Sequence, residues 1–395
     1  MRFEHEVIDD SPPCGRLFAC EPADLTGNGR PDLIVGGTGA EKLPVINTGG
    51  LPLVGRFFRR LEDDLFWYEN PGWKRHVISS RSDLRALGAT LGDVTGNGRL
   101  DLLVGQAIGG NELYWFEQPA DPREPWAEHR IGAPFEKYHD LAFADVDGDG
   151  EPELVGASQR SEVVFYYDVP PEPTRTPWPE TCRHVVARGT SAEGLAVVDL
   201  DGDGRNELVA GTDVYRRTTD DDGGCRPVEA DGGAALADGW RRESIVDGWE
   251  WTRVAVGDLD DDGEPEVVLS EGDSPALGGD AGRVAWFEQP ADPQEPWTEH
   301  RLHDGLYCPH TLQLADFDGD GRLDVYVAEM GLKGNDAEHR LFRNRGGGRF
   351  EETVVERRLP THEAKAVDVD GDGRVDVIGK SYCQDAHVDI WYNRP

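Results

Sequence analysis

Short apolar runs that end in acidic, glycine-bearing turns organise this chain from one end to the other, and no stretch carries the 3.6-residue period of an amphipathic helix. One order of segments recurs. An apolar run such as LAFAD (141–145) or LAVVD (195–199) leads into an acidic turn, and a second apolar run follows it: DLLVG, ELVAG, EVVLS, DVYVA or DVIG. A third segment alternates aromatic and small or polar residues (LFWYEN, LYWFEQ, VVFYYD, VAWFEQ, RLFRN, DIWYN). A fourth sets a Trp, Phe or Cys before a basic or β-branched stretch (WKRHVIS, WAEHRIG, CRHVVA, WRRESIVD, WTEHRLH, FEETVVE). Period-two alternation over such lengths, bounded by Gly, Asp and Asn, predicts four short β-strands per unit.

The turn between the first and second strands has the pattern Asp-x-[Asp/Thr]-x-[Asp/Asn]-Gly-x-x-[Asp/Glu]. It occurs seven times, starting at Asp24, Asp93, Asp145, Asp199, Asp258, Asp316 and Asp368, with successive starts 52 to 69 residues apart. Four-stranded units at that period predict an all-β fold, a seven-bladed β-propeller of four-stranded antiparallel blades forming a single domain over 1–395. The blade cores are expected near 15–79, 85–132, 138–187, 192–247, 251–303, 309–357 and 361–395 plus 2–9. The last unit stops after its third strand (388–393), whereas the chain opens on an orphan fourth strand, FEHEVI (3–8). That N-terminal strand is expected to close the last blade and remove its exposed edge. Insertions interrupt the pattern at 37–63, 170–180 and 213–239; the first and third are placed between second and third strands.

Charge narrows the choice of partners. With 77 acidic against 40 basic residues the formal charge is −37, so a nucleic-acid partner, which needs a basic face, is excluded. Only six of the basic residues are lysine, and this acid-rich, lysine-poor composition resembles proteins of halophiles. No run approaches the roughly 18 apolar residues of a membrane span, and the N-terminus MRFEHEVIDD has no apolar core, so a cytoplasmic location without membrane contact is expected. The six cysteines lack CxxC spacing; Cys14 with Cys20, or Cys182 with Cys225, are the pairs that oxidation could join.

Calcium takes six to eight hard oxygens, and alternate carboxylates beside a turn-permitting glycine supply them. Structural calcium is therefore expected on Asp145, Asp147, Asp149 and Glu153; Asp199, Asp201, Asp203 and Glu207; Asp258, Asp260, Asp262 and Glu266; Asp316, Asp318, Asp320 and Asp324; and Asp368, Asp370, Asp372 and Asp376. The first two blades carry Thr and Asn in the loop (Asp24, Thr26, Asn28, Asp32; Asp93, Thr95, Asn97, Asp101) and are expected to bind most weakly. The alternative is that the loops are acidic hairpin turns and nothing more.

If these loops mark one face, first strands begin on the other. Counting six residues back from each leading Asp gives Phe18, Leu87, His139, Glu193, Thr252, His310 and His362. Equivalent positions in a ring converge on the channel mouth, so His139, Glu193, His310 and His362 are expected to face one another. That set suits zinc or manganese with open positions for substrate; a metal-free catalytic or sugar-binding cluster and a purely structural one are the alternatives. First-strand starts add Tyr138, Asp140, Trp249, Glu250, Trp251, Arg253, Tyr307 and Glu363. Second-strand ends add Gln106, Gln159, Arg160, Glu271, Glu329, Lys380 and Tyr382.

The loops and the segment FRNRGGGRFEE (342–352) resemble the FG-GAP/VCBS propeller family over nearly the whole chain. That family includes binding propellers and the propellers of sugar dehydratases and lyases. PHTLQLADFDGDGRLDVYVAEM (309–330) and THEAKAVDVDGDGRVDVIGKSY (361–382) look like the propeller of the aldos-2-ulose dehydratase type, although the chain has no room for cupin domains. The resemblance implies roles for His310, Glu329, His362 and Lys380 in β-elimination on a uronate-containing glycoside or keto-sugar. On this reading His139, His310, His362, Lys380, Tyr382, Tyr307 and Arg253 are catalytic candidates, and Tyr138, Trp251, Gln106, Arg160, Glu271 and Glu329 bind the carbohydrate. The rival expectation is a non-catalytic propeller that binds a glycan or protein.

Overall fold

A computed structural model describes residues 1–38, 64–81, 83–218, 235–276, 282–292, 295–332, 336–382 and 386–395. Seven antiparallel sheets succeed one another along the chain. Blade 1 comprises Arg16–Ala23, Asp32–Thr38, Leu65–Glu69 and Lys74–Ser79, and blade 2 comprises Ala86–Gly92, Asp101–Gln106, Leu113–Glu117 and Ala127–Gly132. Blade 3 comprises Tyr138–Ala144, Glu153–Ser158, Val163–Tyr167 and Arg183–Arg188; blade 4 comprises Leu195–Val198, Glu207–Ala210, Asp213–Arg217 and Trp240–Ser244. Blade 5 is built from Thr252–Gly257, Glu266–Glu271, Gly282–Glu288 and Thr298–Leu306, and blade 6 from Thr311–Ala315, Asp324–Ala328, Glu338–Asn344 and Phe350–Arg357. Blade 7 takes Glu363–Val367, Asp376–Lys380 and Val388–Arg394 from the C-terminal end and Arg2–Asp9 from the N-terminal end. Arg2 pairs with Arg394 and Glu6 with Ile390, so the two ends of the chain close the ring as the orphan strand predicted. Among the described residues no helix is long and apolar enough to cross a membrane.

One placement differs from the sequence reading. Asp213–Arg217 is itself the third strand of blade 4, pairing with Glu207–Ala210 after a two-residue turn, so the third insertion links third and fourth strands instead of second and third. Its described part, Ala235–Leu236, adds a fifth strand to the outer edge of blade 3 through Ala187 and Arg188. Asp213–Arg217 carries only one aromatic residue, Tyr215, and the pattern that marks the other third strands is absent from it.

Apolar residues of adjacent blades pack into shared clusters, for example Val104 and Phe116 of blade 2 with Trp67 of blade 1. Contact at some seams is close enough to require glycine: a Cβ on Gly105 would lie 2.3 Å from Cβ of Tyr138 in the next blade. On the outer strands an aromatic ring stacks on a histidine in Trp67/His76, Trp115/His129, Tyr166/His184 and Trp286/His300, and each histidine also meets an acid, Glu69, Glu117, Asp168 or Glu288. Those four histidines are thereby accounted for as structural.

An amide clasp, built from residues outside the aspartate-loop motif, ties blades together. An Asn or Gln at the end of the third strand donates its side-chain N–H to the carbonyl at the second loop position of the preceding blade. The pairs are Asn70 to Val369 (2.8 Å), Gln118 to Leu25 (3.2 Å), Asn344 to Leu259 (2.7 Å) and Asn393 to Phe317 (2.7 Å). Asn344 is 1 % exposed, so Asn344→Ala leaves buried carbonyls unpaired and is expected to destabilise by about 2–3 kcal/mol. Urea unfolding measures it, and a loss below about 0.5 kcal/mol would show the clasp to be incidental.

Candidate functional site

First strands line the central channel, and their starting residues meet at its mouth opposite the aspartate loops. Ligand atoms of His139, Glu193 and His310 all lie within 4.8 Å of one another. His139 Nε2 is 3.5 Å from Glu193 Oε1. The other ring nitrogens fix the tautomers: His139 Nδ1 lies 3.2 Å from the Glu193 carbonyl and His310 Nδ1 lies 2.7 Å from the His362 carbonyl. A carbonyl only accepts, so each Nδ1 carries the hydrogen and each Nε2 keeps its lone pair, as metal-ligating histidines require. Burial holds both imidazoles well below the ordinary histidine range, which keeps them neutral.

Glu193 is fully buried. One oxygen accepts from Gln159, while Oε2 is buried with no hydrogen-bond partner. Burial, and then the facing carboxyl of Asp273, push the Glu193 pKa well up. Two buried carboxyls set against each other need a proton or a cation between them, so the donor set fits a divalent ion. Asp273 lies just beyond the second strand of blade 5 and was not among the candidates; it stands off the register used to find the others.

His362 departs from the expected ligand set. Its ring stacks on His310 with centroids 4.0 Å apart, but its Nδ1 faces the ammonium of Lys380, which also donates to the Leu17 carbonyl at 3.1 Å. A nitrogen that accepts from an ammonium has no lone pair left for a metal. Lys380 is 0 % exposed, and desolvation lowers its pKa to about 8 against the pull of Glu363. Tyr382 stacks on the far side of His362 at 4.6 Å and packs against Phe18, so the blade 1 and 2 side of the mouth, with Leu87 and Ala107, is apolar.

Below the histidines a channel cavity of about 400 Å³ is lined by Glu21, Asp140, Arg253, Gln313, Glu363 and Lys365, among others. Nη2 of Arg253 is 3.8 Å from both Asp140 and Glu363, and Lys365 is 3.0 Å from Glu363 and 3.5 Å from Glu21. Burial raises Glu21 to about 7, whereas Lys365 and Arg253 outweigh burial at Glu363 and hold it at about 2.

Four expected carbohydrate-binding residues are engaged elsewhere. Tyr138 is 0 % exposed, packs on Phe165 and donates its hydroxyl to the Asn111 carbonyl, so it offers no ring face. Gln106 bonds the Asp83 carbonyl and the Glu112 N–H. Glu271 is forked to Arg283, and both Glu329 oxygens accept backbone N–H, from Tyr307 and Glu338. Arg160 is exposed at the rim and paired to Glu136 at 3.2 Å. Tyr307 is half-buried beside Glu329. Trp251, half-buried with a left-handed φ of 56°, borders a second cavity of about 270 Å³ with Thr190, Arg242 and Trp249.

On the opposite face each leading Asp folds the loop around itself. Asp316 accepts from the N–H groups of Gly319, Asp320 and Gly321 at 2.8 to 3.0 Å, with Gly319 and Gly321 at positive φ. Carboxylates converge within 4.8 Å in Asp145/Asp147/Glu153, Asp199/Asp201/Asp203, Asp258/Asp260/Asp262 and Asp316/Asp318/Asp320. Position-three oxygens of Thr26, Thr95 and Asp318 are buried without hydrogen-bond partners, as suits groups that point at a cation. The acids at position nine turn inward instead: Asp32, Asp101, Asp324 and Asp376 use both oxygens on backbone N–H groups. Through these bonds the four acids fasten the start of the loop to the end of the third strand, with lone pairs still left on each carboxylate.

The architecture and the mouth define the class: a seven-bladed β-propeller with a buried histidine–carboxylate cluster at one end of its channel. The chain carries FG-GAP-like repeats, matched at residues 93–156 and 316–379. No curated protein matches it. Among solved structures it is similar to the biofilm matrix protein Bap1 of V. cholerae, at 10% identity and a TM-score of 0.47 over 96% of this chain and 87% of that one. None of these matches bears on the narrower likeness to sugar dehydratases.

Proposed function

We propose that this propeller is a metal-dependent carbohydrate lyase or dehydratase that acts by β-elimination on a uronate-containing glycoside or keto-sugar. The observation that carries the reading is the pair of Nδ1–H groups committed to carbonyls, which leaves His139 and His310 each with a free Nε2 in a cluster with the buried carboxyl of Glu193, one of whose oxygens is unpartnered. A zinc or manganese ion on those donors would supply a Lewis acid for the carbonyl or carboxylate oxygen next to the C–H that is broken. Arg253 orients that oxygen from the channel side, its guanidinium being within reach of the cavity and only loosely held by its two acids. Lys380 takes the α-proton once neutral, with His362 and Tyr382 stacked beside it. The rate should therefore rise through about pH 8, where Lys380 loses its proton.

Calcium in the acidic loops stabilises the ring on this reading, and the lysine-poor, acid-rich surface suits work at high salt. The rival, a non-catalytic glycan- or protein-binding propeller, draws on the half-buried Trp251 beside its own cavity. Elemental analysis after calcium chelation, with product absorbance on uronate glycosides and keto-sugars at high salt, separates the two. One transition-metal ion per chain is expected, lost in His310→Ala and Glu193→Gln together with at least a ~100-fold fall in turnover. Folded protein with no such metal and no unsaturated product would leave the binding propeller.

A further inference from the structure

The loop of blade 4 is furnished like the others, with Asp199, Asp201 and Asp203 converging within 4.8 Å, yet a cation of the chain's own already reaches into it. Arg216, near the end of the third strand, places Nη1 2.8 Å from Asp201 Oδ2 and 3.3 Å from Glu207 Oε2, the acids at loop positions three and nine. Its Nε is 3.5 Å from Glu243, and its other terminal nitrogen donates to Gln289. Gln289 occupies in blade 5 the place that Asn70, Asn344 and Asn393 hold as clasps elsewhere, so the same guanidinium joins the blade 4 loop to blade 5. The equivalent positions of blades 1, 2, 3 and 5 hold acids, Glu69, Glu117, Asp168 and Glu288.

We propose that Arg216 replaces calcium in blade 4, which leaves this loop closed to metal while loops with the same carboxylates stay open. Arginine stays charged at any working pH, so no titration empties the site. To enter, calcium would have to evict a buried guanidinium and strand its charge, which costs more than the ion gains from the same two carboxylates. Arginines beside other loops do not close them in this way. Arg345 on Asp318 and Arg394 on Asp370 are 36% and 29% exposed and can swing into water, whereas Arg216 is 5% exposed. The inference rests on calcium binding by the acidic loops and reverses the sequence-based order, in which blade 4 ranked among the strongest sites.

Calcium bound per chain, counted by equilibrium dialysis with calcium alone, tests it. Arg216→Gln is expected to bind one ion more than wild type, and Asp199→Asn in the otherwise native chain to bind the same number as wild type. Asp316→Asn in blade 6, with no buried arginine, serves as the control and should bind one ion fewer. If Asp199→Asn loses an ion, or a folded Arg216→Gln gains none while Asp316→Asn loses one, the replacement is overturned and the loop reading stands. If wild type takes up no calcium, the loop reading fails and this inference with it. Should Arg216→Gln not fold, the Asp199→Asn count decides alone.

Discussion

Chelating calcium at pH 7.5 is expected to lower the unfolding temperature by more than about 10 °C, and by far less at pH 5. A ligand at 100 times its Kd stabilises by about 2.7 kcal/mol per site, and several loops act together in one ring. The pH dependence follows from the acids behind the loops. Burial raises Asp101, Asp324 and Asp376 to about 6, and Glu153 and Glu266 to about 7, above the values near 4 of an unfolded chain. Groups whose folded pKa is raised favour the folded state below the unfolded pKa, and that advantage is lost as pH climbs from about 4 to 7. Without calcium, stability should therefore fall across this window, and the self-repulsion of a chain with net charge −37 acts in the same direction. Calcium held by the ionised loops, as proposed, should flatten or reverse the fall. Scanning calorimetry with and without chelator at pH 5 and 7.5 measures it; equal chelator effects at both pH values would remove the loops from the stability account.

Asp324→Ala is expected to cost about 3–5 kcal/mol whether or not metal is present. The carboxylate accepts Phe317 N–H at 3.1 Å and Asn344 N–H at 2.8 Å, and its residue is 0 % exposed. Deleting it strands two buried donors, each costing about 1–3 kcal/mol. It also frees the backbone of Asn344, whose side chain clasps blade 5. Asp324→Asn, which can still accept at one oxygen, should cost less than half as much. Urea unfolding of both variants with chelator present reads the difference. A loss that vanished on chelation would show that Asp324 acts through calcium and not through its two backbone partners.

Both predictions turn on a distinction invisible in the motif. Asp316 and Asp324 look alike in a pattern of alternating acids, yet one wraps a loop on the surface and the other fastens the third strand from within. The same limit applied at the mouth. Register placed His139, Glu193, His310 and His362 together because equivalent strand positions in a ring must converge, but hydrogen-bond direction then separated them. His139 and His310 each keep a free Nε2 and cluster with Glu193, while His362 is committed to Lys380. Tyr138, one residue from His139, illustrates the opposite error: adjacent residues on a strand face opposite sides, and its ring fills the space that Gly105 leaves in the neighbouring blade.

The sequence by itself determined the ring: seven repeats, strand alternation and an orphan N-terminal strand admit little else, because those signals are local and repeated. It also placed His139, Glu193 and His310 at one level of the ring, since repeat register is a matter of counting. Tertiary structure alone decided what those residues are paired with. The clasp amides, the facing carboxyl of Asp273 and the guanidinium of Arg216 each act on a partner in another strand or another blade. Such contacts are set by side-chain direction and burial across a seam, and neither quantity is periodic along the chain.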